Sequence, residues 1–155
     1  MSRSGYVEDW DFDGTNNVWR GAVASAMRGK RGQAFLREMR DAMDAMPNKR
    51  LIEERLVTDS GEVCAMGTVC ARRGLDVSDI DPEDYERVAD RIGLSRAMVQ
   101  EIAYHNDEGG FYNYRERRGE TPEERWVRMR AWVEKQIVNP TPAIPEHSET
   151  REVGR

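Results

Sequence analysis

Apolar side chains recur at three- and four-residue spacing in the first third of the chain, which is typical of amphipathic helices. A first set predicts a helix from Asn17 to Gly29: Trp19, Ala22, Val23, Ala26 and Met27. A second set predicts another helix that ends before Pro47: Phe35, Leu36, Met39, Ala42, Met43 and Met46. We expect the basic turn Arg28 to Gly32 to join the two into an antiparallel helical hairpin.

In residues 51–74, the first part of the sequence fits two structures and the second part predicts a helix. Leu51 to Val57 is apolar at both ends and precedes the turn formers Thr58 to Gly61, so a small β-hairpin and a short helix fit it equally well. Cys64 to Arg73 is small, apolar and helix-like, and Gly74 stands where a left-handed C-cap belongs.

Start and stop signals predict three more helices. Pro82 opens the first of them, and Gly93 ends it. Ser95 is the expected N-cap of the next helix, which runs to about Asn106. After a loop, Thr121-Pro-Glu-Glu124 has the composition of a full capping box and begins the last helix.

These elements predict a mainly α fold with about six helices in one compact domain and room for one small β-hairpin near residues 51–63. We expect residues 1–17 to be an N-terminal arm and 18–138 to be the helical domain. Residues 139–155 contain three prolines and no hydrophobic periodicity, which predicts a disordered tail.

Composition narrows the possible functions. Hydrophobic residues make up 38% of the 155 and charged residues 34%, so the core is small and methionine supplies much of it. The net charge of −5 argues against a protein that coats nucleic acid or binds membranes through basic residues. No apolar run approaches the roughly 18 residues of a bilayer span, and the acidic N-terminus is unlike a signal peptide, which together predict a cytoplasmic protein.

The segment Val88 to Ile102 has the small, turn and core positions of a helix-turn-helix. Its surroundings carry the wrong charge for DNA binding, because residues 78–108 hold nine acids and three bases, for a net charge of −6. We therefore favour an ordinary capped helical corner and keep a DNA-binding regulator centred on residues 85–106 as the alternative.

Charge is unevenly distributed, since residues 18–55 carry a net charge of +4. Two surfaces are therefore candidate partner-binding sites. The first is acidic: Asp79, Asp81, Glu83, Asp84, Glu86 and Asp90. The second is the basic turn: Arg28, Lys30 and Arg31. The acidic one is the better candidate, because it could compete with nucleic acid for a basic groove on another protein.

Signals for catalysis are weak. We expect Cys64 and Cys70 to be reduced and buried. The acidic residues after Ser78 lack the spacing of a calcium-binding loop. His105 has neither a nucleophile nor a phosphate-binding loop near it in sequence. Aromatics alternate with arginines from Phe111 to Arg118, which we interpret as a lid over the core rather than a base-stacking site. We expect no enzyme activity, metal or cofactor.

Several short motifs resemble a group of small phage and prophage proteins. They are Gly61-Glu-Val-Cys-Ala-Met-Gly67, the pair Asn106-Asp107, the closing helix Trp126 to Glu134, and the segments Gly21 to Ala26 and Gly29 to Glu38. The group typically has a Cys-Ala-Leu-Gly helix, and Met66 stands here where leucine is common. The resemblance covers residues 17–138, implies a phage or prophage origin, and brings no catalytic residue with it.

Small phage proteins of this kind often bind and block a host protein. We therefore expect a non-enzymatic interaction protein that acts in the bacterial cytoplasm on a host protein or nucleoprotein complex. Its most concrete form is a defence-system inhibitor of the anti-CRISPR type.

Overall fold

A computed structural model describes residues 15–138, with side chains from residue 18, and these residues form a mainly α domain, as predicted. Six helices lie within the described range: α1 (Thr15–Arg28), α2 (Lys30–Asp44), α3 (Ala65–Arg73), α4 (Tyr85–Ile92), α5 (Arg96–Glu108) and α6 (Pro122–Gln136). The predicted tail and all but the last three residues of the predicted arm lie outside the described residues.

Helix α5 is the centre of the fold and packs against α1, α3, α4 and α6, while α2 packs against α3 and α6. Methionine fills much of the core, in agreement with the composition: Met39, Met43, Met66, Met98 and Met129 are all at most 2% exposed. An unbranched thioether side chain adapts to irregular gaps, which suits a small core made by short helices.

Most helix ends obey the signals in the sequence. Gly74 and Gly93 take left-handed conformations, with φ of 67° and 77°, and end α3 and α4. The Ser95 hydroxyl accepts a hydrogen bond from the Met98 amide and caps α5. Thr121 and Glu124 form the predicted capping box of α6. These predicted ends are confirmed.

Helix α4 begins later than predicted. Pro82 lies before the helix, and Asp84 is the N-cap, its carboxylate accepting a hydrogen bond of 3.2 Å from the amide of Arg87. The predicted start was wrong because Asp81 forms a tighter local turn instead, in which its carboxylate accepts the amide of Glu83 at 2.9 Å.

Helices α1 and α2 meet at one residue, Gly29, instead of the predicted five-residue turn. Lys30 and Arg31 therefore lie in the first turn of α2. The corner is tight at Gly32, where an added Cβ would lie 2.0 Å from the carbonyl oxygen of Ala26. Glycine at this position lets the backbones of the two helices approach closely.

The segment that the sequence left ambiguous is not a helix. Val57 and Val63 form an isolated antiparallel bridge around the turn at Thr58 to Gly61, so residues 57–63 make a minimal hairpin. The Ile52 amide donates to the Val63 carbonyl at 2.9 Å, and the Leu51 amide donates to the Pro122 carbonyl at 3.0 Å. The segment is therefore attached to the start of α6.

Candidate interaction surface

Two of the short sequence motifs, Gly61 to Gly67 and Asn106-Asp107, meet at one joint in the interior. The side-chain oxygen of Asn106 accepts a hydrogen bond from the Ala65 amide at 3.1 Å, and its amide donates to the Ile52 carbonyl at 2.9 Å. An added Cβ on Gly67 would lie 1.8 Å from the carbonyl oxygen of Leu56. These contacts of Asn106 and Gly67 with the backbone of other segments hold α3, α5 and the hairpin together.

The acidic candidate surface is partly neutralised by its own arginines. Asp79 lies 3.4 Å from a guanidinium nitrogen of Arg87 and 3.5 Å from one of Arg91. Glu86 pairs with Arg96 at 3.2 Å. Such exposed pairs contribute little to stability, but they reduce the charge that a partner would meet.

The other four acids of this surface have no basic side chain within ion-pair distance among the described residues. Asp81 and Asp84 use their carboxylates to cap backbone amides, as described above. Glu83 and Asp90 are exposed to solvent. The structure therefore leaves an acidic surface at the start and along the outer side of α4, with a lower charge than the sequence count indicates.

The basic candidate surface is the corner between α1 and α2. Arg28, Lys30 and Arg31 are all exposed there, and no carboxylate of the described chain lies within ion-pair distance of them. The first turn of α2 has no acidic residue, and its N-cap, Gly29, has no side chain to cap it. This corner therefore has a local positive charge, and the structure places it at the α1–α2 junction.

The third feature is the loop between α5 and α6, residues 109–119, which we call the aromatic loop. The sequence predicted a lid over the core, and that prediction was wrong. Phe111 is 63% exposed, Tyr112 49% and Tyr114 84%. The half-buried Trp126 and Trp132 of α6 pack against the core, whereas the three loop aromatics face solvent.

The tip of the aromatic loop is held in one conformation by its backbone. Asn113 and Arg118 form an antiparallel bridge with hydrogen bonds of 2.8 and 3.3 Å. The Asn113 side-chain oxygen also accepts the amides of Arg115 and Glu116, at 3.0 and 3.2 Å. Arg117 has a φ of 52°, a left-handed conformation that is costly for a residue with a side chain.

The stem of the loop rests on a buried ion pair. Glu120, whose side chain is 5% exposed, receives two hydrogen bonds from Arg128, at 2.6 and 2.9 Å. Arg128 also donates to the carbonyls of His105 and Asn106 at the end of α5. An added Cβ on Gly110 would lie 2.9 Å from Glu120, so a glycine stem fits closely against this pair.

A second anchor joins the loop to the start of α6. Arg118 donates two hydrogen bonds to Glu124, at 3.1 and 2.9 Å, and it also pairs with Glu116. The Arg118 guanidinium, together with the capping-box amide of Thr121, lowers the pKa of Glu124 to about 2. Glu124 therefore stays ionised at neutral pH and keeps both the helix cap and the loop in place.

Two loop cations have no such anchor. Arg115 and Arg117 are exposed, and no carboxylate of residues 15–138 lies within ion-pair distance of either guanidinium. The loop therefore presents three aromatic rings and two uncompensated cations on a fixed backbone. The sequence contained the signal for this, the alternation of aromatic and arginine residues, but it did not show which way the side chains face.

A groove of about 570 Å³ lies on another part of the surface, between the end of α2, the hairpin and α3. Its lining is mostly apolar and includes Ala42, Met46, Ile52 and Val63, together with Arg72. Nothing in its lining suggests a particular chemistry.

The described residues contain no group of three or more His, Cys, Asp or Glu side chains that could hold a metal ion. The two cysteines are buried and form no disulfide, as predicted, and burial raises the pKa of the Cys70 thiol to about 11. In the described part of the chain, no helix has both the length and the apolar character needed to cross a bilayer.

Comparison with known protein families, curated proteins and solved structures found no match to this chain.

Proposed function

We propose that this chain is a non-enzymatic interaction protein of phage or prophage origin that binds and inhibits a bacterial host protein. Its most concrete form is an inhibitor of a CRISPR-type defence system. The observation that carries the proposal is the aromatic loop, a surface-exposed group of aromatic and arginine side chains on a preformed backbone.

Tyrosine, tryptophan and arginine are the residues that contribute most often to binding energy at protein interfaces. Phe111, Tyr112 and Tyr114 expose apolar surface area to water, and this exposure does not stabilise a monomer. The loop is already ordered by Asn113 and Arg118, so binding would require little further loss of conformational entropy. These features favour a docking role for the loop.

The function can be tested by expressing the protein in bacteria with active CRISPR systems and measuring the plating efficiency of a targeted phage. We expect the wild type to restore plating in at least one system and Y112A/Y114A to lose that effect. The matched control V18A/V127A removes two other exposed side chains and should behave as wild type. A wild type that restores plating in no tested system, and that forms no stoichiometric complex with any purified component, contradicts the proposal.

The same assay compares the loop with the two charged surfaces. E83K/D90K reverses the two exposed acids of the acidic surface that neither cap an amide nor form an ion pair, and K30E/R31E reverses the basic corner. If the acidic surface competes with nucleic acid for a basic groove, E83K/D90K abolishes inhibition while Y112A/Y114A retains it. The opposite result assigns binding to the aromatic loop.

The alternative function is a helix-turn-helix regulator. The left-handed Gly93 turn between α4 and α5 favours it, because this geometry resembles that motif. Among the residues of α5, all of which the structure describes, Arg96 alone is exposed, and it pairs with Glu86. A recognition helix must present an outer face to the major groove, so the burial of α5 argues against this function. A mobility-shift assay at low salt, with R96E as the variant, tests it directly.

A further inference from the structure

We infer that the aromatic loop docks into an apolar pocket with an acidic rim on its partner protein, an inference that rests on the proposed function. The loop offers two kinds of contact on one turn of chain. Its first half presents the rings of Phe111, Tyr112 and Tyr114, and its second half presents the guanidinium groups of Arg115 and Arg117. A matching site needs apolar surface beside carboxylates.

Charge complementarity indicates that the partner's binding site is negatively charged. The loop contains three arginines and one glutamate, and the Glu116 charge is taken up by Arg118. Arg118 is in turn bound to Glu124, so Arg115 and Arg117 account for the positive potential at the loop tip. Guanidinium groups favour paired, planar contacts with carboxylates, which makes an acidic rim the natural counterpart.

A single-stranded nucleic acid is negatively charged, as an acidic rim is, so charge alone does not separate the two partners. The geometry of the aromatic rings favours a protein partner. The Tyr112 and Tyr114 rings lie edge to face, with centroids 5.0 Å apart and planes at 70°. Consecutive bases stack on aromatic rings that are close to parallel, so these two rings cannot both hold bases of one continuous stack. An edge-to-face pair packs well into a pocket lined by aliphatic or aromatic side chains.

The stem explains how an exposed turn of this kind stays ordered. Gly110 packs against Glu120, and Glu120 is fixed by Arg128, so the loop is attached to a buried ion pair instead of a flexible linker. The left-handed Arg117 adds local strain that the bridge between Asn113 and Arg118 must maintain. Both features keep the aromatic and cationic halves of the loop in a fixed relation.

The test is selection of random dodecapeptides displayed on bacteriophage against the purified full chain, followed by affinity measurement with the enriched peptides. We expect wild-type selections to enrich peptides that combine Asp or Glu with large apolar residues. Y112A/Y114A should weaken their binding by about tenfold or more. R115E/R117E should remove the preference for acidic peptides.

Matched controls separate the loop from general surface effects. R20E/R55E changes the net charge by the same amount at two exposed positions outside the three candidate surfaces, and V18A/V127A removes apolar area elsewhere. Both should bind the enriched peptides within about twofold of wild type, a difference of less than ~0.5 kcal/mol. Circular dichroism of each variant shows that the helical fold is retained.

Four results would overturn the inference. Two concern the peptides: the wild type enriches no acidic peptides, or the loop variants do not change which peptides bind. The other two concern other occupants: the loop binds oligo(dT) more tightly than any peptide, or it mediates dimerisation in sedimentation experiments. These results are distinguishable from failure of the proposed function. If only the proposed function is wrong, the wild type does not restore phage plating, but it still selects acidic peptides.

Discussion

The Asn106 side chain and the Ala65 backbone amide are joined by a hydrogen bond of 3.1 Å that attaches the end of α5 to the start of α3. The same side chain donates to the Ile52 carbonyl at 2.9 Å and to the Asp107 carboxylate at 2.8 Å. Asn106 is 2% exposed, so these contacts are made almost without water. One amide side chain therefore connects three separate parts of the fold.

Replacing Asn106 by alanine should lower the free energy of unfolding by about 3 kcal/mol, because the Ala65 amide and the Ile52 carbonyl lose their shared partner in the interior. Urea denaturation measures the change. The control Asn48→Ala removes an exposed amide and should alter stability by less than about 0.5 kcal/mol. Equal losses in the two variants would contradict a structural role for Asn106.

The second prediction compares alanine substitutions at two helical glycines, Gly67 in α3 and Gly21 in α1. Gly67→Ala would place a Cβ 1.8 Å from the Leu56 carbonyl oxygen, and we expect a loss of about 3 kcal/mol or more. Gly21→Ala adds a methyl group on α1 with nothing within 4 Å, and it should stabilise the protein by about 0.5–1 kcal/mol. Thermal unfolding of both variants checks the opposite signs. A neutral Gly67→Ala would show that α3 can move away from the hairpin.

The helices and their ends were predictable because their causes are local. Gly93 and Ser95 act within a few residues of their own position, and a capping box needs only the four residues from Thr121 to Glu124. The same signals failed at Pro82, because the competing turn at Asp81 and the cap at Asp84 are equally local.

The candidate surface could be predicted only in part, because exposure is a property of the whole fold. The alternation of aromatics and arginines at residues 111–118 was visible, but the sequence does not show that the folded chain leaves Phe111, Tyr112 and Tyr114 exposed. The ion pair between Glu120 and Arg128 was also missed. Its partners are eight residues apart and belong to the loop stem and α6, so neither helical nor strand periodicity marks them.

The Glu120 ion pair gives a third prediction. Glu120→Gln leaves the buried Arg125 and the partly buried Arg128 without their shared carboxylate, and we expect the free energy of unfolding to fall by about 3 kcal/mol. Glu123→Gln removes a carboxylate that pairs with Arg50 where both side chains are more than half exposed. This control should cost less than about 1 kcal/mol in urea denaturation. Similar costs for the two variants would show that the loop stem does not depend on the pair.

The pH dependence of stability provides the last prediction. The pKa of Glu124 is about 2 in the folded chain and 4.5 as an ordinary carboxyl, so folding favours its ionised form. Its contribution is therefore fully present above about pH 5.5 and is lost as the pH falls through about 2. We expect the urea midpoint of the wild type to fall over this range and that of Glu124→Gln to fall less, so that the two converge in acid. Glu38 and Asp44, whose pKa values are also lowered by arginine partners, contribute in both proteins and cancel in the comparison. Parallel profiles for wild type and Glu124→Gln would contradict the assignment of Glu124 as the ionised anchor of the loop and the α6 cap.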